Sequence, residues 1–138
     1  MSQAQVVRAL VPRAAGTNCD EETALALRLA GATVDRLPVH DLYADPARLD
    51  QVDLLVLPGG FSYGDDVGSG KILATELRQH LAPALRRFLA VGKLILGICN
   101  GFQVLVKSGL LPAGVEGVER PVAEQPITLT WNQTPRFA

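Results

Sequence analysis

The sequence has few cysteines, few aromatic residues and no excess of charge of either sign. Cys19 and Cys99 are the only cysteines among 138 residues, which excludes a disulfide-stapled scaffold. Thirteen basic residues stand against fourteen acidic ones, so no basic surface for nucleic acid or an anionic membrane is indicated. No apolar run approaches the roughly 20 residues of a bilayer span, and the first residues lack a secretion signal. We therefore expect a cytoplasmic protein that binds neither nucleic acid nor membrane.

Segments with strand character alternate along the chain with segments of helical periodicity, and 48% of the residues are hydrophobic. Predicted strands occupy residues 6–11, 32–38, 52–57 and 93–98, of which the last two are apolar enough to be buried on both faces. Predicted helices occupy residues 20–29, 72–89 and 100–106. This alternation predicts one α/β domain with a doubly wound, mostly parallel sheet flanked by helices.

Prolines and glycines modify this pattern at two places. Pro83 lies inside the second helical segment and predicts a break between two helices. Beyond Leu110 the pattern weakens, and only residues 127–131 alternate like a strand.

Cys99 lies in the turn Gly97-Ile98-Cys99-Asn100-Gly101, between a predicted strand and a predicted helix. A Gly-x-Cys-x-Gly turn at such a junction is typical of a nucleophile elbow, with sulfur in place of the serine oxygen. The glycines leave room for the turn, the helix N-terminus favours a thiolate, and the Asn100 N–H is placed to bind an oxyanion. The turn therefore predicts a catalytic nucleophile. The alternatives are a core cysteine flanked by glycines by chance, or glycines that only ease the packing of the strand against the helix.

Three other features carry weaker signals. Gly59 and Gly60 end the central predicted strand, and adjacent glycines let backbone amides face a substrate carbonyl. This loop is interpreted as the second half of an oxyanion hole, with an ordinary strand-to-helix loop as the alternative. Cys19 is interpreted as a structural thiol. His40 and His80 are interpreted as surface or structural residues.

Three stretches of the sequence together resemble one known family. Residues 97–103 (GICNGFQ), 58–65 (PGGFSYGD) and 16–20 (GTNCD) resemble the glutaminase subunits of phosphoribosylformylglycinamidine synthase, which are class I glutamine amidotransferases. Residues 129–137 are similar to a further segment of that family. The first stretch indicates only the amidotransferase class, whereas the other two point to the purine-pathway member. The resemblance covers nearly the whole chain and implies a flavodoxin-like fold.

The resemblance also implies an activity. Cys99 would form a glutamyl thioester from glutamine and release ammonia, with the amides of Gly60 and Asn100 holding the oxyanion and Gln103 helping to bind the glutamine. A synthetase subunit, in a complex with a small accessory subunit, would use this ammonia to convert formylglycinamide ribonucleotide into formylglycinamidine ribonucleotide. ATP and magnesium are expected on the synthetase partner, with no metal ion and no cofactor on this chain.

One part of the family's catalytic machinery has no counterpart in the sequence. The family's histidine and glutamate come after the cysteine, and no histidine follows Cys99. We therefore expect residues 1–138 to form a single glutamine amidotransferase domain that is incomplete at its C-terminus. An alternative is a catalytically incomplete binding or assembly module of the same fold that docks on a synthetase partner. A cysteine hydrolase or stress protein of related fold is a third hypothesis, which leaves the family motifs unexplained.

Overall fold

A computed structural model describes residues 6–65, 68–130 and 133–134 of the chain. Its centre is a sheet of four parallel strands in the order β2-β1-β3-β4. The strands are β1 (Arg8–Arg13), β2 (Thr33–Pro38), β3 (Leu54–Leu57) and β4 (Leu94–Gly97). The chain runs outward from β1 to β2 and then returns to β3 and β4 on the other side. This reversal confirms the predicted doubly wound arrangement and places its switch point between β1 and β3.

Helices occupy most of the segments between and after the strands. The α-helices are α1 (Asp20–Leu29), α2 (Val39–Ala44), α3 (Lys71–Ala90), α4 (Asn100–Ser108), α5 (Leu110–Ala113) and α6 (Val115–Glu119). Three 3-10 helices cover Pro46–Gln51, Ser62–Asp65 and Val122–Glu124. In the described part of the chain, no helix is both long enough and apolar enough to cross a membrane.

The main hydrophobic core lies on one face of the sheet. Strand residues Leu10, Leu55 and Leu57 point to this face and are almost fully buried. The apolar stripe of α3, which includes Leu77 and Leu81, packs in the same cluster. On the other face α1 contacts β1 and β2. The predicted class, a parallel sheet flanked by helices, is therefore confirmed.

The prediction that β4 is buried on both faces is wrong. Ile95 is half-buried and packs against the core, but Leu94 and Leu96 are 68% and 44% exposed. They point to the sheet face that α1 covers only over β1 and β2, and β4 pairs with β3 alone among the described residues. An apolar run in the sequence shows that the side chains are hydrophobic. Their burial also requires a helix or strand that packs against them.

The strand predicted at residues 127–131 is also wrong as far as the structure describes it. Residues 127–130 form neither a helix nor a strand, and Trp131 lies outside the described residues. Alternation alone does not make a strand, because a strand needs a partner for its backbone groups. The segment at residues 129–137 that resembles the family lies mostly outside the described residues as well.

The helix break predicted at Pro83 is wrong, because α3 continues through this residue over 20 residues. A proline inside a helix leaves the carbonyl of the residue four positions earlier without its helical partner. Here that residue is Gln79, and both Gln79 and Pro83 are exposed, so water can reach the carbonyl. On the opposite side Leu77, Leu81 and Leu85 are buried along one stripe. Burial of this stripe on both sides of Pro83 keeps the helix continuous.

We expect the substitution Pro83→Ala to stabilise the domain. Alanine restores the missing helical hydrogen bond at an exposed site, although the unfolded chain becomes less restricted, and the net gain should be about 1–2 kcal/mol. Urea unfolding followed by circular dichroism measures the free energy of unfolding. Pro121→Ala is the control, because Pro121 is exposed and precedes a 3-10 helix, so this change should give no gain. A loss of stability in Pro83→Ala would contradict the expectation.

Candidate active site

Three loops meet at the carboxyl ends of the neighbouring strands β1, β3 and β4. They comprise residues 14–19 after β1, residues 58–65 after β3, and residues 98–99 between β4 and α4. Ligands of doubly wound sheets bind at this end, beside the switch point. The three sequence motifs lie in these loops and in the residues that directly flank them, so the fold brings together motifs that are up to about 80 residues apart in the sequence.

Cys99 forms a strained elbow between β4 and α4. Its backbone angles are φ 50° and ψ −110°, a region that residues other than glycine seldom adopt. Its thiol is free and exposed, and the residue occupies the N-cap position of the nine-residue helix α4. The positive end of the helix dipole favours negative charge at this position. The backbone thus presents an accessible sulfur where an anion is stabilised.

The glycines on either side of Cys99 allow the backbone to pack closely. A Cβ atom on Gly101 would lie 2.0 Å from the carbonyl oxygen of Leu57, at the end of β3. A Cβ atom on Gly97 would lie 2.7 Å from the carbonyl oxygen of Gly101. Both contacts are too short for real atoms. The two glycines therefore allow the first turn of α4 to rest on the strand ends, which fixes the direction of the elbow.

The loop that contains Gly60 is joined to the loop after β1. Thr17 and Gly60 form an antiparallel bridge, and the Phe61 N–H donates to the Gly16 carbonyl at 3.1 Å. Gly60 has φ 126°, and a Cβ atom there would lie 2.6 Å from the Asn18 side-chain oxygen. Among the described residues, no group accepts a hydrogen bond from the Gly60 amide. That amide is therefore available to a ligand.

A buried hydrogen-bond network connects the Gly60 loop with the start of α4. Ser62 and Asn100 are each 3% exposed. The Ser62 hydroxyl donates to Oδ1 of Asn100 at 2.7 Å, and the Ser62 amide donates to the same oxygen at 3.2 Å. Nδ2 of Asn100 in turn donates to Oε1 of Gln103 at 3.1 Å. The side chains of the candidate residues Asn100 and Gln103 are thus held by each other and by Ser62, to which the sequence analysis assigned no role.

Tyr63 ties the same loop to α3. Like Cys99, it is a non-glycine residue with a positive φ, at 56°. Its hydroxyl donates to Oε2 of Glu76 at 2.6 Å, and the Tyr43 hydroxyl donates to the same oxygen at 3.0 Å. Burial, together with the neighbouring Glu76 carboxylate, raises the pKa of both phenols above the usual value. Both hydroxyls therefore remain protonated donors at neutral pH.

The structure places Cys19 differently from the structural thiol of the sequence analysis. Cys19 is exposed, and its Sγ contacts Oδ1 of Asn18 at 3.5 Å. A Cβ atom on Gly59 would lie 3.5 Å from Cβ of Cys99 and 3.7 Å from Cβ of Cys19. Both cysteines therefore border Gly59 at the same end of the sheet. No sequence pattern showed this proximity, because it depends on β1 and β4 lying on either side of β3.

Both histidines lie on helices, His40 on α2 and His80 on α3. They are exposed, and both pack on the ring of Tyr43: His80 stacks at 4.7 Å between centroids and His40 approaches edge-on at 5.7 Å. Their interpretation as surface residues is confirmed. Within the described ranges, no group of three histidine, cysteine or acidic residues could hold a metal ion. The site thus offers a thiol and backbone amides, a set suited to addition of the thiol to a carbonyl carbon.

An exposed cysteine in a strained strand-to-helix turn, at the carboxyl end of a doubly wound sheet, is typical of acyl-transfer proteins. The sequence profile of one family matches this chain. The profile is that of the CobB/CobQ-like glutamine amidotransferase domain, and it matches residues 6–138. The chain therefore belongs to the CobB/CobQ-like glutamine amidotransferase family.

Two of the curated relatives of the chain carry the name of the same enzyme subunit. The chain is 46% identical over 131 residues to phosphoribosylformylglycinamidine synthase subunit PurQ of Dehalococcoides mccartyi, covering 95% of this chain and 49% of that protein. It is 43% identical over 136 residues to the subunit of the same name from Treponema denticola, covering 94% of this chain and 50% of that protein. The chain thus spans about half the length of these curated relatives.

Two solved structures are similar to the fold of this chain. The structure of PurLQS from Thermotoga maritima matches with a TM-score of 0.64 and 39% sequence identity, covering 78% of this chain and 46% of that chain. A putative peptidase E protein from Listeria monocytogenes matches with a TM-score of 0.55 and 18% identity, covering 88% of this chain and 62% of that chain. The second match shows a shared fold alone.

Proposed function

We propose that this chain is the nucleophile-bearing part of a glutaminase that hydrolyses glutamine through a thioester on Cys99. The observation that carries the proposal is the strained, exposed Cys99 elbow at the N-terminus of α4, which borders Gly59, next to a Gly60 amide that has no acceptor among the described residues. Membership of a glutamine amidotransferase family supports glutamine as the substrate. The same membership argues against a module that only binds, and the proposal therefore includes chemistry.

In the proposed reaction the Cys99 thiolate attacks the γ-carbonyl carbon of glutamine. A carbon–sulfur bond forms while the carbonyl electrons move to the oxygen, and the amides of Gly60 and Asn100 stabilise that oxyanion. When the oxyanion collapses, the carbon–nitrogen bond breaks, and the nitrogen takes a proton and leaves as ammonia. Water then hydrolyses the thioester to glutamate and returns the thiol. Gln103 contributes to the glutamine site from the first turn of α4.

The leaving nitrogen needs a proton donor. Both histidines of the chain pack on the ring of Tyr43 in α2. The proposal therefore takes this proton from solvent or from a group outside the described residues. Addition of the Cys99 thiolate to the carbonyl carbon needs only the elbow and the amides of Gly60 and Asn100. This addition step can therefore be tested on the isolated chain.

We further propose that the ammonia serves a synthetase partner that makes formylglycinamidine ribonucleotide. The named relatives are subunits of phosphoribosylformylglycinamidine synthase, and the Thermotoga maritima match is to a chain of a structure titled PurLQS. The proposed complex also contains a small accessory subunit, and its synthetase binds ATP and magnesium. We place this complex in the cytoplasm, where free thiols such as those of Cys19 and Cys99 persist.

The experiment that tests the glutaminase proposal is alkylation of the purified chain by a glutamine-analogue chloromethyl ketone, followed by peptide mass analysis. We expect one adduct, at Cys99. Free glutamine at ten times its dissociation constant should slow the labelling by about tenfold, because protection follows ligand occupancy. Iodoacetamide should modify both cysteines, since both are exposed.

Cys19→Ser is the matched control for this experiment. It removes the neighbouring thiol and leaves the elbow unchanged, so labelling by the chloromethyl ketone and its protection by glutamine should persist. Equal labelling of both cysteines in the original chain, without protection by glutamine, would refute the proposed glutaminase site.

A further inference from the structure

Ser62 of the Gly60 loop hydrogen-bonds directly to the start of α4. Its side-chain hydroxyl and its backbone amide both donate to Oδ1 of Asn100, at 2.7 Å and 3.2 Å. The two residues are 38 positions apart in sequence and almost fully buried. A buried acceptor that takes two hydrogen bonds from one residue is fixed in distance and in direction.

This contact spans the two halves of the proposed oxyanion hole. Gly60 lies two residues before Ser62, and Asn100 directly follows the nucleophile. The Gly60 amide belongs to the loop after β3 and the Asn100 amide to the start of α4, and their relative position depends on what joins these two segments. Oxyanion donors act through their placement about 3 Å from the developing charge, so a small displacement of either loop weakens both.

We propose that Ser62 is a positioning residue that sets the distance between the Gly60 and Asn100 amides, and that it acts through the Asn100 side chain. This inference rests on the proposed glutaminase function and adds a residue to it. Ser62 does not touch the reacting atoms. The Ser62 hydroxyl fixes the Asn100 side chain, and Asn100 in turn fixes the first turn of α4. Nδ2 of Asn100 also donates to the Gln103 side chain in that turn.

The adjacent residue supplies a matched comparison. Tyr63 lies on the same loop and is also held by one hydroxyl hydrogen bond, which is directed to Glu76 on α3 and away from the elbow. Ser62→Ala and Tyr63→Phe therefore each remove one hydroxyl from neighbouring positions. Only Ser62→Ala removes a link to Asn100. In Ser62→Ala the backbone amide still donates to Oδ1, so the variant should remain folded.

The test measures alkylation of Cys99 by the glutamine-analogue chloromethyl ketone at several concentrations of the reagent. The carbonyl of this reagent takes the place of the amide carbonyl of glutamine, and its oxygen needs the same two donors when the thiolate attacks. For Ser62→Ala we expect the maximum labelling rate to fall by about tenfold, with an unchanged half-saturating concentration. Tyr63→Phe should lose less than about threefold. The rate with iodoacetamide, which needs no oxyanion hole, should stay the same in both variants.

The labelling rates distinguish failure of the role of Ser62 from failure of the proposed glutaminase function. If Ser62→Ala labels at the original rate, or if it and Tyr63→Phe slow equally, the role of Ser62 is overturned. A parallel loss of reactivity toward iodoacetamide would also overturn it, because general loosening of the elbow affects both reagents. If the original chain shows no glutamine-protected labelling at all, the proposed function fails first, and the inference about Ser62 fails with it.

Discussion

Gly101→Ala is expected to destabilise the domain by about 3 kcal/mol or more, enough to abolish folding in a protein of ordinary stability. Alanine is favoured over glycine inside helices by up to about 1 kcal/mol, so helix propensity alone would predict a gain. The steric effect is opposite and larger, because the new Cβ atom would lie 2.0 Å from the Leu57 oxygen and 2.6 Å from its carbonyl carbon. These are backbone atoms of β3, which cannot rotate away as a side chain would.

Gly31→Ala provides the comparison for this prediction. Gly31 has φ 94°, but a Cβ atom there would meet nothing within 4 Å, so its cost should be only the backbone strain of about 1 kcal/mol. Urea unfolding of both variants measures the difference. If Gly101→Ala were as stable as the original chain, the first turn of α4 could not rest on the end of β3, and the geometry of the elbow would need another cause.

The four strands and the first helices could be predicted from the sequence because each depends on local signals. The apolar run at β3 and the acidic residues at the start of α1 identify their elements without reference to the rest of the chain. Exposure of Leu94 and continuation of α3 through Pro83 depend instead on tertiary contacts. Sequence periodicity does not contain the strand order or the burial on both sides of a proline, and those two predictions were wrong for that reason.

The same distinction between local sequence signals and tertiary contacts applies to the residues of the candidate site. Cys99 could be predicted as a nucleophile because two glycines at fixed spacing are typical of a nucleophile elbow. Ser62 gave no such signal, since its partner Asn100 is 38 positions away and its significance appears only when β3 and β4 are neighbours. The proximity of Cys19 to Gly59 likewise follows from the order of the strands. The candidate nucleophile thus has a local motif, whereas the contact of Ser62 joins segments that are 38 positions apart.

Cys99→Gly is expected to abolish labelling by the glutamine analogue and at the same time to stabilise the fold. The loss of labelling follows directly from removal of the sulfur. The gain in stability follows from φ 50° and ψ −110° at this residue, a conformation that costs a residue with a side chain about 1–3 kcal/mol. Glycine adopts it without strain but loses about 0.5–1 kcal/mol more backbone entropy on folding. The net increase in the free energy of unfolding should be about 1 kcal/mol.

Cys99→Ser separates the two effects. Serine keeps the Cβ atom and therefore the backbone strain, so this variant should lose the label while its stability stays within about 0.5 kcal/mol of the original. Urea unfolding of the two variants side by side, with labelling measured on the same samples, gives the comparison. A Cys99→Gly chain no more stable than Cys99→Ser would show that the elbow is not strained. A gain confined to glycine would mean that the fold maintains an unfavourable backbone conformation at Cys99, the residue proposed as the nucleophile.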